Sequence, residues 1–214
     1  SRTRLLRRWS AWRAERSSSA TPPVCRHSFR SRPHAQHLWV PVSEIHPVQI
    51  VGFSRAIDRS DFRCGKPELD EWLRTKAGQQ EKSDNTRTFL AIDPERDGVA
   101  GYYATTTYRL DLDEAAAAFG AGRRQYPVPA VLLARLAVDE RCAGQGVGRQ
   151  LLTHALEGIA VANSVVGFEV VVVHAIDIDA VTFYARYGFT RFPSQPLHLF
   201  LTTKALRSAL AQPY

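Results

Sequence analysis

The spacing of apolar side chains from Val48 onward predicts regular elements in the first half of the chain. VQIVGFSRAI, TRTFLAID and GVAGYYATTTYRL read as strands, the last two joined by the turn-like PERDG. KPELDEWLRTKAGQQEKSD instead has helical spacing and a proline near its start, where a helix tolerates it. The apolar face of that helix is formed by Leu69, Trp72, Leu73 and Ala77. DEAAAAFGAG predicts a short helix at most, and RRQYPVP a loop.

The second half alternates strands with helices. AVLLARLAVDE and FEVVVVHAI are continuous apolar runs, typical of strands buried on both faces. Between them the apolar positions recur with helical period, at Val147, Leu151, Leu152, Ala155, Leu156 and Ile159. IDAVTFYARYG predicts a short helix closed by Gly188, and PLHLFLTTKAL a last strand leading to a ragged end. Strand–helix–strand order implies a right-handed crossover and a mixed α/β sheet.

Charge divides the chain into segments. Residues 1–40 hold nine arginines and one glutamate, a net charge of +8, whereas the remainder holds 19 basic and 20 acidic residues, a net charge of −1. We therefore separate a basic N-terminal extension (1–44) from a globular domain (45–206) and a C-terminal tail (207–214). The extension fits a transit-like peptide, a basic arm for RNA or a disordered segment. Its prolines favour the last.

The apolar runs and the cysteines indicate which cellular compartment to expect. No apolar stretch approaches the length that spans a bilayer, so we expect a soluble protein without a membrane partner. The three cysteines, Cys25, Cys64 and Cys142, are widely spaced and form no CxxC pair. That pattern argues against a disulfide framework or a metal site and fits a reducing cytoplasm.

ERCAGQGVGRQLL, residues 140–152, places three glycines between a predicted strand and a predicted helix. Such a loop offers unpaired N–H groups and the positive end of a helix dipole to an anion such as a pyrophosphate. A P-loop requires Gly-Lys-Ser/Thr where this chain has Gly-Arg-Gln. A dinucleotide fingerprint belongs in a first βαβ unit, and this loop comes late. Two interpretations of the loop remain: a binding loop for coenzyme A, and an ordinary flexible connection.

The surroundings of the loop indicate a family. LARLAVDERCAGQGVGRQLLTHAL, followed by DIDAVTFYARYGFTRF, resembles the GCN5-related N-acetyltransferases. The resemblance implies their acyl-CoA N-acyltransferase fold, an α/β fold with a mixed central sheet flanked by helices, and acetyl-CoA as the acetyl donor. It implies that pantetheine runs along Leu136, Ala137 and Val138. It implies pyrophosphate contacts in the loop at Arg141, Ala143, Gly144, Gln145, Gly146, Val147, Gly148 and Arg149.

The loop departs from the family pattern, Gln/Arg-x-x-Gly-x-Gly/Ala. When the pattern is aligned with the start of the helix, its glycine positions fall on Gly146 and Gly148, and Ala143 occupies its first position in place of Gln or Arg. The segment Arg141-x-x-Gly144-x-Gly146 also fits the pattern, but it begins two residues earlier. Because most of such a cradle is backbone N–H, we expect Ala143 to weaken binding rather than abolish it. Arg141 or Arg149 would supply a cation to the phosphates.

Upstream motifs narrow the resemblance. FRCGKPELDEWL, TRTFLAID, GYYATTT and RLAVD are similar to the toxins of bacterial toxin–antitoxin pairs within this family, and the match covers residues 48–205. Those toxins acetylate the α-amino group of aminoacyl-tRNA and so block translation. The resemblance implies aminoacyl-tRNA as substrate and a cognate antitoxin protein as partner, with a homodimer left open.

The resemblance also assigns chemistry. Tyr184 occupies the family's general-acid position, from which a phenol would protonate the departing thiolate; packing in the core is its alternative. A lysine amine, with a pKa of about 10.4, would need a base, whereas an α-amino group near 7.7–8.0 is already partly neutral. His174 is an alternative base, or a capped core histidine. Asp177 stands near the pantetheine arm, or simply caps the helix of Tyr184.

Binding of tRNA requires positive charge, which the acidic domain has to supply locally. Candidates are Arg63, Lys66, Arg74, Lys76, Lys82 and Arg87 around the first helix, with Arg123 and Arg124 in the later loop. Two other functions stay open. One is an acetyltransferase of the same fold acting on a small amine or a protein N-terminus, and the other is a catalytically silent CoA- or RNA-binding regulator.

Overall fold

The computed structural model describes residues 46–96, 98–119 and 126–211. The extension proposed at 1–44 and the two loop arginines, Arg123 and Arg124, lie outside the described residues. In the part of the chain that is described, no helix combines the length and apolar character needed to cross a membrane.

One mixed sheet organises the described residues. Its strands lie in the order β1-β2-β3-β4-β5-β7-β6, and every neighbouring pair is antiparallel except β4 and β5, which are parallel. This agrees with the predicted mixed α/β sheet. The strands are β1 (Gln49–Gly52), β2 (Arg87–Asp93), β3 (Gly98–Leu110), β4 (Val128–Val138), β5 (Val170–His174), β6 (Thr190–Phe192) and β7 (Gln195–Thr202).

The helices follow the predicted order, with one addition. They are α1 (residues 67–82), α2 (Leu112–Phe119), α3 (Val147–Asn163), α4 (Ile178–Ala185) and α5 (Thr203–Ala211), with a 3₁₀ turn at Glu140–Cys142. Within α1 the segment Trp72–Lys76 is a π-helical turn. The strand expected over PLHLFLTTKAL ends at Thr202, where α5 replaces the expected ragged end because Leu206, 1% exposed, is anchored in the core.

The helices cover both faces of the sheet. Helices α3, α4 and α5 pack on one face, over a core that includes Leu133, Leu151 and Tyr184. Helix α1 packs on the opposite face against Tyr102, and α2 borders a third cluster around Leu110 and Phe200. Strand β5 is therefore buried on both sides, as its apolar run predicts, whereas most residues of β4 are only half-buried.

A β-bulge opens the sheet between β4 and β5. The register of β3 with β4 shifts between Ala104 and Thr105, which leaves Ala134 of β4 without an opposite residue. Strand β5 pairs with β4 only over residues 130–133. Beyond the bulge, residues 135–138 stay paired with β3, but their other edge is open. The result is a notch at the carboxyl ends of the two parallel strands.

Candidate functional site

The glycine loop lies at the head of this notch and presents backbone N–H groups. Gly144 (φ +74°) and Gly146 (φ +79°) have left-handed backbones, and Gly146 is the N-cap of α3. No hydrogen bond within the described residues uses the N–H of Gly144, Gly146, Val147, Gly148 or Arg149. A Cβ added to Gly144 would meet nothing within 4 Å. The loop therefore has the free donors and the open space that a pyrophosphate requires.

Gly148 brings three predicted parts of the site together. A Cβ on Gly148 would lie 3.5 Å from Cγ2 of Val138 and 3.6 Å from Cε2 of Phe183. The first turn of α3 thus contacts both the open end of β4 and the helix that carries Tyr184. Leu136 and Val138 are half-buried on this face, and Ala137 is buried on the opposite face against the α1 cluster. Their shared open strand edge is where the resemblance puts pantetheine.

The side chain of Arg141 forms an ion pair with Asp139. Its Nε and Nη2 donate to the carboxylate of Asp139 at 2.7 and 2.9 Å. Burial alone would raise the pKa of Asp139, but hydrogen bonds from Arg141 and from the N–H of Arg63 leave it lowered. Arg141 therefore holds the start of the loop, whereas Arg149 has an exposed side chain in the first turn of α3; a contact of either with phosphate stays a prediction.

Tyr184 is a residue of α4 whose ring lies in the hydrophobic core and whose hydroxyl has no hydrogen-bond partner within the described residues. The residue is 6% exposed, and its ring contacts Phe183 and Phe189, with centroids 5.2 and 5.6 Å away. Its hydroxyl makes no hydrogen bond with any residue the structure describes, and the oxygen is not fully enclosed. Burial raises the pKa of Tyr184, so the phenol stays protonated at neutral pH. Among the residues that the structure describes, this proton donor has no hydrogen-bond acceptor.

Asp177 and His174 flank the other side of the notch. Asp177 accepts from the N–H of Ala180 at 2.8 Å and so caps α4; its carboxylate also forms an ion pair with Lys66. The imidazole of His174 stacks on that of His198, with centroids 3.8 Å apart. Burial, and then the proximity of His198, lower the pKa of His174. The ring is neutral at pH 7, and its role as a base stays a prediction.

A polar groove on the opposite face of the sheet was not predicted from the sequence. It has a cavity volume of about 520 Å³ and lies between α1 and the bulged part of β3 and β4. The sequence does carry one signal for it, since Arg135 interrupts the apolar run AVLLARLAV. The groove is lined by Trp72, Gln80, Asp84, Asn85, Thr86, Thr106, Thr107, Leu132, Ala134 and Arg135.

The basic residues expected to contact RNA lie on or beside α1, on the groove side of the sheet. Six are exposed: Arg63, Lys66, Arg74, Lys76, Lys82 and Arg87. Lys66 and Arg87 form ion pairs, with Asp177 and Asp84 respectively. The structure thus gathers this part of the predicted basic surface around one helix.

Comparisons with known proteins identify the family and the fold. The model of the acetyltransferase (GNAT) domain matches residues 84–191, which spans β2 to β6 and includes the loop and Tyr184. The chain belongs to the GCN5-related N-acetyltransferase family. It is therefore an acetyltransferase by descent, and its seven-stranded sheet with a parallel seam is the fold of that family.

Relatives with assigned activities cover most of the chain. A tRNA-acetylating toxin of Mycobacterium tuberculosis (strain ATCC 25618 / H37Rv) is 36% identical over 160 residues, which is 73% of this chain and 93% of the relative. The solved structure of AtaT complexed with acetyl-methionyl-tRNAfMet is similar with a TM-score of 0.69 and 26% identity, over 77% of this chain and 100% of that one. A mutant AtaT toxin bound to the C-terminus of the antitoxin AtaR and acetyl-CoA gives a TM-score of 0.65 and 26% identity, over 77% of this chain and 99% of that one.

Proposed function

We propose that the protein transfers an acetyl group from acetyl-CoA to the α-amino group of aminoacyl-tRNA and thereby acts as a toxin that blocks translation in the cytoplasm. The observation that carries this proposal is the 36% identity to a tRNA-acetylating toxin across 93% of that protein. By the same reasoning the chain has a cognate antitoxin, because a similar toxin structure contains one.

The donor side of the site fits acetyl-CoA, which when bound supplies an activated acetyl thioester. The N–H groups of the loop that make no hydrogen bond within the described residues would bind the pyrophosphate, supported by the α3 dipole; they are those of Gly144, Gly146, Val147, Gly148 and Arg149. The open edge of β4 at residues 136–138 would pair with the amides of pantetheine, in the way a strand pairs with a sheet edge. The guanidinium of Arg149 would add a charged contact to phosphate.

Tyr184 holds the proton that the departing sulfur needs. Its hydroxyl is not used by the described protein, and burial keeps it in the protonated form. Donation from the Tyr184 oxygen to the sulfur would neutralise the developing thiolate as the carbon–sulfur bond breaks. The apolar rings of Phe183 and Phe189 pack against the ring of Tyr184 and so restrain the direction of its phenol.

The acceptor amine requires little help from the protein. An α-amino group with a pKa of about 7.7–8.0 is partly neutral at pH 7, and an adjacent ester lowers that value further. A lysine acceptor would need a strong base. His174, neutral and at the end of β5, is the candidate that the sequence suggests, and its ring is engaged in a stack with His198. The site is therefore better matched to aminoacyl-tRNA than to lysine side chains.

The two substrates would approach from opposite faces of the sheet. The loop and α4 lie on one face, whereas the groove and the basic residues of α1 lie on the other. The notch between β4 and β5 connects the faces, so an amine in the groove can meet a thioester lying along β4. Positive charge around α1 would attract the RNA phosphates.

A direct assay tests the proposal. The protein is incubated with radiolabelled acetyl-CoA and, separately, with total aminoacyl-tRNA, deacylated tRNA, small amines and peptides with free N-termini. We expect label in aminoacyl-tRNA alone, and mild base should then release an N-acetyl amino acid that mass spectrometry identifies. Faster labelling of an amine or a peptide would assign the enzyme to another acceptor class, and acetyl-CoA binding without any transfer would indicate a regulator.

A further inference from the structure

Arg135 is a cation without a counter-charge in the described protein. It follows the bulge at Ala134 and lines the groove, where its guanidinium carbon lies 4.7 Å from the centre of the Trp72 ring. No hydrogen bond or ion pair joins it to any residue that the structure describes. Its Nε is fully enclosed and unpartnered, whereas its two terminal nitrogens are not enclosed.

This arrangement leaves uncompensated positive charge in the groove. A guanidinium stays protonated at every accessible pH, and a half-buried charge without a partner is unfavourable. Asp84, the acid that lines the groove, already accepts from Nη2 of Arg87 at 2.7 Å. The groove therefore favours an anionic ligand.

The stacking on Trp72 favours a phosphate. The indole packs against the guanidinium on one side, and the two terminal nitrogens of Arg135 are not enclosed. A planar fork of donors matches two phosphate oxygens at once, which a flexible ammonium does not. Trp72 itself begins the π-helical turn of α1, an irregularity that is frequent at functional sites.

The position of Arg135 identifies which phosphate. It directly precedes residues 136–138, the proposed pantetheine edge, on the side away from the pyrophosphate loop. The thioester end of the donor would therefore lie beside Arg135. In an aminoacyl-tRNA, only the ester and one ribose separate the α-amino group from the nearest phosphate. When the amine reaches the thioester, that phosphate has to lie close by.

We propose that Arg135, held by Trp72, binds the 5′-phosphate of the terminal nucleotide of charged tRNA. The inference rests on the proposed function and adds a recognition element to it: the enzyme would distinguish an aminoacyl group carried on a nucleotide from the same group on a simple ester. Arg135 would then set acceptor affinity, while acetyl-CoA binding on the other face would not depend on it.

Two small acceptors isolate this contact. One is a 3′-aminoacyl-adenosine with the aminoacyl group that the tRNA assay identifies, and the other is the same compound with a 5′-phosphate. We expect wild type to acetylate the phosphorylated compound with the higher kcat/KM. Arg135→Gln should reduce kcat/KM for that compound by about 10- to 100-fold, the range for a lost hydrogen-bonded charge contact, and leave the other compound unchanged. Arg135→Lys should restore part of the preference.

Arg191→Gln is the matched control, since Arg191 is exposed on β6 at the far edge of the sheet. Circular dichroism and acetyl-CoA titration show whether each variant is folded. Three results would overturn the inference. They are equal kcat/KM of wild type for the two compounds, an undiminished preference of Arg135→Gln for the phosphorylated compound, and an equal loss of kcat/KM by Arg135→Gln for both compounds. In each case acetylation of charged tRNA by wild type would leave the proposed function standing. Absence of that acetylation would remove the proposed function itself.

Discussion

Nζ of Lys66 lies 2.9 Å from Oδ2 of Asp177, so an ion pair joins the residue before α1 to the cap of α4. The segment before α1 that carries Lys66 is itself bonded to the turn after β4, where the N–H of Glu140 donates to the carbonyl of Arg63 at 2.8 Å. The ion pair therefore spans the mouth of the notch. It connects the segment before α1 with the helix that carries Tyr184.

Substitutions of Asp177 distinguish its role as a helix cap from the role of its negative charge. Asp177→Ala removes the hydrogen bond to Ala180 and should lower the free energy of unfolding by about 1 kcal/mol, measured by urea denaturation. Asp177→Asn keeps a capping oxygen and should lose much less. The hydrogen bond from Ala180, followed by Lys66, lowers the pKa of Asp177 below 3.8. Its contribution is thus present at neutral pH and lost as the pH falls through that lowered value. Equal losses in both variants would show that the cap is unimportant.

Gly146→Asp tests the pyrophosphate cradle. A carboxylate at the N-cap of α3 would repel a bound phosphate, and the left-handed backbone adds strain of its own. We expect acetyl-CoA affinity, measured by calorimetry, to fall at least about tenfold while the fold survives. Gly158→Asp is the control, since a Cβ there meets nothing within 4 Å and the site lies farther along the same helix. Unchanged binding by the Gly146 variant would mean that the loop has another role.

Tyr184→Phe removes one hydroxyl that makes no hydrogen bond in the described protein. Stability and acetyl-CoA affinity should hardly change, because the ring keeps its contacts with Phe183 and Phe189. If the phenol protonates the sulfur, kcat for charged tRNA should fall by about 10²–10⁴-fold at saturating acetyl-CoA. Tyr187→Phe, one turn away, should retain wild-type turnover. A loss confined to KM would indicate substrate positioning instead.

The stacked histidines predict a pH dependence of stability. Burial is the main cause that lowers the pKa of both His174 and His198 below 6.5, partly opposed by Glu114. The unfolded chain therefore binds more protons than the native protein just below that value, and stability should fall as the pH drops through this window. His174→Gln should reduce the difference in unfolding free energy between about pH 7.5 and about pH 5.5. An unchanged difference would show that the pair does not titrate on unfolding.

Most of the fold could be predicted because its signals are local. The apolar run in TRTFLAID and the helical period after Gly146 match β2 and α3 as observed. Strand β6 was missed because Thr190–Phe192 is too short for any period, and α5 was missed because Thr203 follows an apolar strand without a break. The bulge at Ala134 could not be predicted, since one unpaired residue changes register with β3 and leaves the apolar pattern intact.

The open backbone of the glycine loop could be predicted, whereas its role in binding stays a prediction. The spacing of the glycines predicts a loop with unpaired N–H groups, and those of Gly144, Gly146 and Gly148 make no hydrogen bond within the described residues. Side-chain partners were not predictable: Arg141 turns to Asp139, two residues away, and the groove around Arg135 joins segments more than fifty residues apart. The contacts around the groove depend on how α1 packs against the sheet, which no local pattern encodes.

The short parallel seam between β4 and β5 has a consequence for engineering. Only residues 130–133 of β4 pair with β5, and the chain crosses between the two halves of the sheet through exposed residues after α3, near Val165 and Val166. A chain divided there would leave the donor cradle on one fragment and Tyr184 on the other. Neither piece alone would hold both, so enzymatic activity would become a report of fragment reassembly and could be placed under the control of fused dimerising domains.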